Sequence, residues 1–184
     1  MKRIFRYICI ILIIFTVIIT MINKNNIKKH FYKDDYREYV EKYASKYNVD
    51  KNLIFAIIKA ESNFNENAIS NAKAKGLMQV MDSTAKDISK DMQIEINEET
   101  ILIPETNIEI GTKYISMMIS KYKSINLALA AYNAGSGNVD KWIENKTIKD
   151  DGSDIENIPF KETNNYVRKI LRDYEIYKEI YKNN

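Results

Sequence analysis

From Tyr7 to Ile22 the chain carries no charged residue and is dominated by isoleucine. A run of this kind is either buried in a membrane or removed, because water will not accommodate it. Lys2, Arg3 and Arg6 precede it and Lys24 follows it. Ile4, Phe5 and Asn23 lengthen the run, and the flanking Arg6 and Lys24 can snorkel to the polar boundary. A secretory signal peptide has a similar outline, but Ile19-Thr20-Met21-Ile22-Asn23 offers no small-x-small cleavage site. The expectation is therefore an uncleaved anchor over residues 1–24, a single transmembrane helix. Its basic leader holds the N-terminus inside the cell and places the rest outside the cytoplasm. Cys9, the only cysteine, lies inside this run and reads as a small apolar residue, so no intramolecular disulfide is possible.

Beyond a linker at residues 25–35, residues 36–184 are long enough for one domain with a sizeable core. Only five glycines and two prolines interrupt the chain, and strand-like alternation is missing, so the expected fold class is mainly α. The net charge of +3 is misleading, because Lys2, Arg3, Arg6, Lys24, Lys28 and Lys29 all fall in the first thirty residues. The remainder carries about −3, which gives no clustered basic footprint for nucleic acid. The lone histidine, His30, stands in the linker, so the domain cannot assemble a Ser-His-Asp or Cys-His site, nor a zinc site of the usual kind. Carboxylates are the main catalytic candidates, with Ser/Lys pairs behind them. No cofactor and no metal is expected.

An opening helix reads through Tyr36, Tyr39, Val40, Tyr43 and Tyr47. Asp50 is an N-cap candidate for a second helix containing Leu53, Ile54, Phe55, Ile57 and Ile58. Glu61 follows Ile54 by seven residues, Ile57 by four and Ile58 by three, so it falls on the apolar face of its own helix. A carboxyl withdrawn from water holds its proton more tightly, as a general acid acting at neutral pH requires. Burial at a helix end with a hydrogen-bonded partner is the structural alternative.

Glu61-Ser62-x-Phe64 is followed by Ser70, by Ala74-x-Gly76-Leu77-Met78-Gln79-x-Met81, and by Ser83-Thr84-Ala85. Pro104-Glu105-x-Asn107-Ile108-x-x-Gly111-x-x-Tyr114 comes next, then Ala130-Ala131-Tyr132-Asn133-Ala134-Gly135, then Ile158-Pro159-Phe160-x-Glu162-Thr163-x-x-Tyr166-Val167. This ordered set resembles the soluble lytic transglycosylases, which share a lysozyme-like fold with goose-type lysozymes. The resemblance implies that Glu61 is the sole catalytic acid/base and that the substrate is the glycan strand of peptidoglycan. It places Ser70 and Gln79 in the substrate cleft, and Tyr132, Glu162 and Tyr166 around the glutamate or the sugar; Asn133 is a further substrate-binding candidate, because a polar side chain at a helix end can face a cleft. Read without it, Gln79 serves equally as a turn cap and Tyr132 as one more core tyrosine among thirteen.

The implied reaction cleaves the β-1,4 bond between N-acetylmuramic acid and N-acetylglucosamine and leaves 1,6-anhydromuramic ends. The alternatives are a muramidase, with Glu66, Asp82 or Glu162 as the water-activating carboxylate, and an idle peptidoglycan-binding domain. The expected molecule is a monomer, associated with the membrane and with wall-remodelling or secretion machinery.

Several local expectations complete the reading. Leu127–Asn133 forms a short Ala-rich helix stopped by Gly135 and Gly137, which puts Tyr132 and Asn133 at its end. Glu162 and Tyr166 share a face at the start of a final helix. Gly111, inside a helical pattern, implies close packing, and residues 144–157 read as a surface loop or flexible flap. Two positions depart from the family pattern: Asp82 stands where proline is usual, with Asp82 or Ser83 then capping the next helix, and Lys73 stands where glycine is frequent.

Overall fold

Helices form where the apolar spacing calls for them, and two of them are apolar on nearly every side. The computed structural model describes residues 7, 10, 14–16, 28, 30–92, 96–97 and 99–182. The chain divides into two compact units, Met1–Lys33 and Asp34–Asn184. No helix among the described residues is long and apolar enough to cross a membrane. The anchor expected over residues 1–24 lies mostly outside the described residues.

The second unit is helical, with only isolated antiparallel bridges, Ile69 to Lys75 and Lys75 to Val80, among its described residues. Helix α1 spans Arg37–Tyr47 and buries Val40, Tyr43 and Ala44. Helix α2, Lys51–Glu61, is capped at Asp50, whose side chain accepts from the Asn52 amide as expected. Every residue of α2 from Leu53 to Ile58 is buried, which makes it the central helix of the unit.

Helix α3 is Asp82–Met92, and a 3₁₀ turn at Thr100–Leu102 leads into α4, Pro104–Tyr122, with Pro104 in its first turn. Helix α5, Ile125–Ala134, buries Leu127 to Ala131 and so forms the second fully enclosed rod. Helix α6 is Ser136–Glu144 and α7 is Lys161–Ile180. The most extensive packing joins α2 to α7 and α5 to α4, with α5 also against α7. Tyr43 and Tyr47 of α1 donate to Glu105 and Glu109 of α4, both at 3.0 Å, so the tyrosine stripe buries its rings and pairs its hydroxyls.

Two expectations about glycine come out differently. Gly135 stops α5 with φ +83°, but Gly137 lies within the first turn of α6 and stops nothing. A Cβ on Gly111 would sit 2.5 Å from Met78 Sδ and 2.7 Å from Met78 Cβ, so the helical glycine does mark a close approach. Gly111→Ala gains about 1 kcal/mol in helix propensity, whereas overpacking costs about 1–3 kcal/mol. Thermal unfolding of this variant is therefore expected below the parent's temperature, and a clear rise would mean that Met78 swings aside freely.

Residues 144–157 form a largely exposed surface loop, one of the two expectations, and it is pinned by internal contacts. Ile148, Gly152 and Asp154 are buried. The Asp154 carboxylate accepts from the Lys149 amide at 2.9 Å and from Asn157 Nδ2 at 3.0 Å, while Asn126 of α5 donates to the Gly152 carbonyl at 2.8 Å. The polar composition that suggested mobility instead serves as internal pairing of the backbone.

Candidate active site

Glu61 is the last residue of α2, and the chain after it turns through two left-handed residues, Asn63 and Phe64, with φ +50° and +67°. Ser62 fastens this corner, its hydroxyl donating to the carbonyls of Ile58 at 3.2 Å and Leu77 at 2.8 Å. Phe64 is buried and lies 6.5 Å from the Phe55 ring, centroid to centroid. The carboxyl thus leaves the core helix at the point where the loop 62–81 folds back over it.

Tyr166 of α7 donates from its hydroxyl to Glu61 Oε1 at 2.6 Å. Oε2 accepts no hydrogen bond among the described residues and is not sealed from solvent, so it is the oxygen left for a substrate proton. Burial pushes the Glu61 carboxyl from its ordinary value of 4.5 up to about 7, the Tyr166 hydrogen bond and the charge of Lys169 pull it down, and the charge of Glu162 adds to the rise. Burial, and then the charge of Glu61, hold the hydroxyls of Tyr132 and Tyr166 well above the usual phenol range, so both remain proton donors.

Glu61 opens on a depression of about 480 Å³ lined also by Ser62, Asn63, Ser70, Gln79 and Lys169. A neighbouring depression of about 300 Å³ is lined by Met81, Tyr114, Tyr132, Asn133 and Gly135. Gln79 lines both, which makes them adjoining segments of one groove. A larger hollow of about 590 Å³, with Asp50 and Glu175 among its lining residues, lies at the opposite ends of α2 and α7 and carries charges of both signs.

The residues singled out from the sequence divide into groups. Gln79 is both a turn cap and a lining residue: it adopts φ +46°, and its Nε2 donates to the carbonyls of Ala68 at 3.0 Å and Gly76 at 2.9 Å. Tyr132 likewise serves packing and site, its ring 5.1 Å from that of Tyr114 and its hydroxyl donating to the Met78 carbonyl at 2.8 Å. Ser70 lines the first depression while its Oγ accepts from the Ala74 amide at 3.0 Å. Asn133 lines the second, its Oδ1 accepting from Thr163 Oγ at 2.7 Å. Glu162 is exposed and lines neither depression; only its charge reaches Glu61.

Three contributors receive no role from the sequence, although Asn107 and Tyr114 stand in the block from Pro104 to Tyr114. Tyr114 packs against Tyr132 with the rings tilted by 45°, Lys169 lines the depression beside Glu61, and Asn107 holds the loop that carries Gln79. Lys169 had a signal, since it follows Tyr166 by three residues on the same helical face.

The two departures resolve simply. Lys73 adopts φ +65°, the conformation glycine favours, so the loop keeps its path at a strain of about 1 kcal/mol. Asp82 is the first residue of α3, a position where proline is at home, and it caps nothing. Its two oxygens instead accept from the buried Lys75 ammonium at 2.8 and 2.9 Å. Glu66 accepts from the Tyr36 hydroxyl at 2.8 Å.

Comparison with known proteins gives a consistent picture. The model of the Transglycosylase SLT domain family matches residues 38–155. A putative soluble lytic murein transglycosylase of Haemophilus influenzae is 35% identical over 139 residues, 74% of this chain and 23% of that protein. A membrane-bound lytic murein transglycosylase C of Edwardsiella ictaluri is 38% identical over 102 residues, 50% of this chain and 28% of its own length. Among solved structures, the 70-kDa soluble lytic transglycosylase of Escherichia coli superposes with a TM-score of 0.76 at 31% identity, covering 83% of this chain and 25% of that one. The chain spans about a quarter of the length of the curated relatives it matches.

Proposed function

Because this chain belongs to the Transglycosylase SLT domain family, we propose that it is a peptidoglycan lytic transglycosylase in which Glu61 serves as the only acid/base. The observation that carries the reading is the Glu61 carboxyl itself, poised at about 7 in an open groove with Oε1 held by Tyr166 and Oε2 unpaired.

A group with that proton affinity can act in both directions at neutral pH. Protonated Glu61 gives its proton to the glycosidic oxygen as the bond from the muramyl C1 breaks, and the acetamido oxygen of the same sugar stabilises the cationic carbon. Glu61, now a carboxylate, takes the proton of the C6 hydroxyl while O6 bonds to C1. The 1,6-anhydro ring closes, and Glu61 ends protonated as it began. No second carboxylate is needed.

The rival, hydrolysis by an activated water, requires a base on the far face of the sugar. Glu66 is engaged by Tyr36, Asp82 by Lys75, and Glu162 stands outside both depressions. These engagements favour the sugar's own hydroxyl as nucleophile. Digestion of purified peptidoglycan by the full chain in mild detergent, with mass measurement of the fragments, tests this. The expected muramyl ends are lighter than reducing ends by one water, about 18 Da. Fragments with reducing ends alone would replace the transglycosylase with a muramidase.

The uncharged run at residues 7–22 and the membrane-bound relative together support a membrane-associated enzyme with its groove outside the cytoplasm, where its substrate lies.

A further inference from the structure

The last three residues of α2 are met one by one, in reverse order, by one stripe of α7. Tyr166 donates to Glu61 at 2.6 Å, Lys169 Nζ donates to the Ala60 carbonyl at 3.1 Å, and Asp173 accepts from Lys59 Nζ at 3.5 Å. The middle contact fills a vacancy at the helix end. Of the terminal carbonyls of α2, that of Ile58 accepts from the Ser62 amide and that of Lys59 from the Asn63 amide, while that of Ala60 takes the lysine ammonium. A cation there also faces the negative end of the helix dipole.

Lys59 and Lys169 differ in what they leave over. Lys59 faces Asp173, which is fully buried and also accepts from Arg172 at 2.9 and 3.0 Å. Lys169 has no carboxylate partner among the described residues, is exposed, and lines the Glu61 depression. Its positive charge is tethered by a backbone carbonyl one residue from the catalytic carboxyl and is not neutralised.

We infer that Lys169 is a positioning residue of the acid/base centre, a capping cation whose ammonium is fixed at the α2 terminus so that its charge acts on Glu61. The inference rests on the reading of Glu61 given above. The charged and titratable groups facing the carboxyl are Tyr132 from α5, Glu162, Tyr166 and Lys169 from α7, and Lys59 on α2 itself, already paired with Asp173. Burial, the helix end and Glu162 all disfavour the carboxylate; the Tyr166 hydrogen bond acts against them, and Lys169 is the one cation among the described residues that does so. The second half of the reaction needs that carboxylate as a base. A tethered ammonium keeps it accessible without forming the ion pair that would remove Oε2 from the substrate.

Lys169→Met and Lys169→Arg in the full chain test this through two readouts. The first is the carboxyl titration of Glu61, followed by carbon NMR and assigned with Glu61→Gln. In Lys169→Met the midpoint is expected to rise by about 0.5 or more, and in Lys169→Arg to stay with the parent. The second is the pH dependence of glycan release. Its alkaline limb reports loss of the acid's proton, so it is expected to move to higher pH in Lys169→Met and to remain in place in Lys169→Arg. A lysine that only capped the helix would lower the rate at every pH and leave both midpoints unmoved, and that result would overturn the inference. If the parent releases no glycan at any pH, the enzymatic reading fails instead, while the titration still decides what Lys169 does to Glu61.

Discussion

Glu61→Gln is expected to abolish glycan release and, at alkaline pH, to make the protein more stable. Amide nitrogen cannot supply the proton, and loss of a positioned general acid/base lowers rates by about 10²–10⁴ or more. Tyr166 keeps its acceptor, because the glutamine oxygen can take the place of Oε1. The stability effect follows from the raised carboxyl. Between 4.5 and about 7 the native protein binds a proton that the unfolded chain has released, so stability falls as pH rises through this window. Above it the loss is complete and amounts to at most about 3 kcal/mol. Glutamine carries no charge and escapes the loss entirely. Thermal unfolding of the two proteins should therefore nearly coincide at pH 4, and the variant should unfold at the higher temperature at pH 8. Coincidence at both pH values would mean that the carboxyl is not held against ionisation. Release of glycan at the parental rate would remove Glu61 from the acid/base role.

The same helix shows why part of this site was readable in advance. The periodicity of Ile54, Ile57 and Ile58 places Glu61 on an apolar face, because helical geometry is local and side-chain direction follows from position. The end of α5 and the shared face of Glu162 and Tyr166 are legible on the same ground. The loop 62–81 is different. Its left-handed residues include Gly76 and Asn63, which tolerate that conformation, but also Phe64, Lys73 and Gln79, which no local preference announces. They are imposed by contacts made across the chain, such as Ser62 to the Leu77 carbonyl and Tyr132 to the Met78 carbonyl. Residues 144–157 are legible as a surface loop, but the pairing that pins it is not, since polar side chains that pair with their own backbone look the same in sequence as polar side chains facing water. Glu162 shares a face with Tyr166, yet the helix turns it outside the groove, and only its field arrives.

Asn107 is where this non-local control is concentrated, and its replacement should produce the largest loss of stability. The side chain is fully buried in α4. Its Oδ1 accepts from the Met78 amide at 2.7 Å, and its Nδ2 donates to the carbonyls of Lys75 and Ile101, both at 2.9 Å. Gly76 permits the approach, because a Cβ there would fall 2.4 Å from Nδ2. One amide thus sets the path of residues 75–78, which deliver Gln79 to the groove and the Met78 carbonyl to Tyr132. Asn107→Ala leaves the Met78 amide and the Ile101 carbonyl unpaired, while the Lys75 carbonyl keeps the Val80 amide; at about 1–3 kcal/mol for each lost pairing, and with a cavity added, a loss of roughly 3 kcal/mol or more is expected. For a domain of this size that corresponds to a fall of about 10 °C in the midpoint of thermal unfolding. Activity at a temperature where the variant remains folded should fall as well, since Gln79 and Tyr132 lose their common support. Asn107→Asp separates the two halves of the amide's role: it retains the acceptor for the Met78 amide but faces two carbonyls with acceptor oxygens, and it should be at least as destabilising as alanine at neutral pH. A change in midpoint of only one or two degrees for both variants would mean that the loop holds its path without the amide.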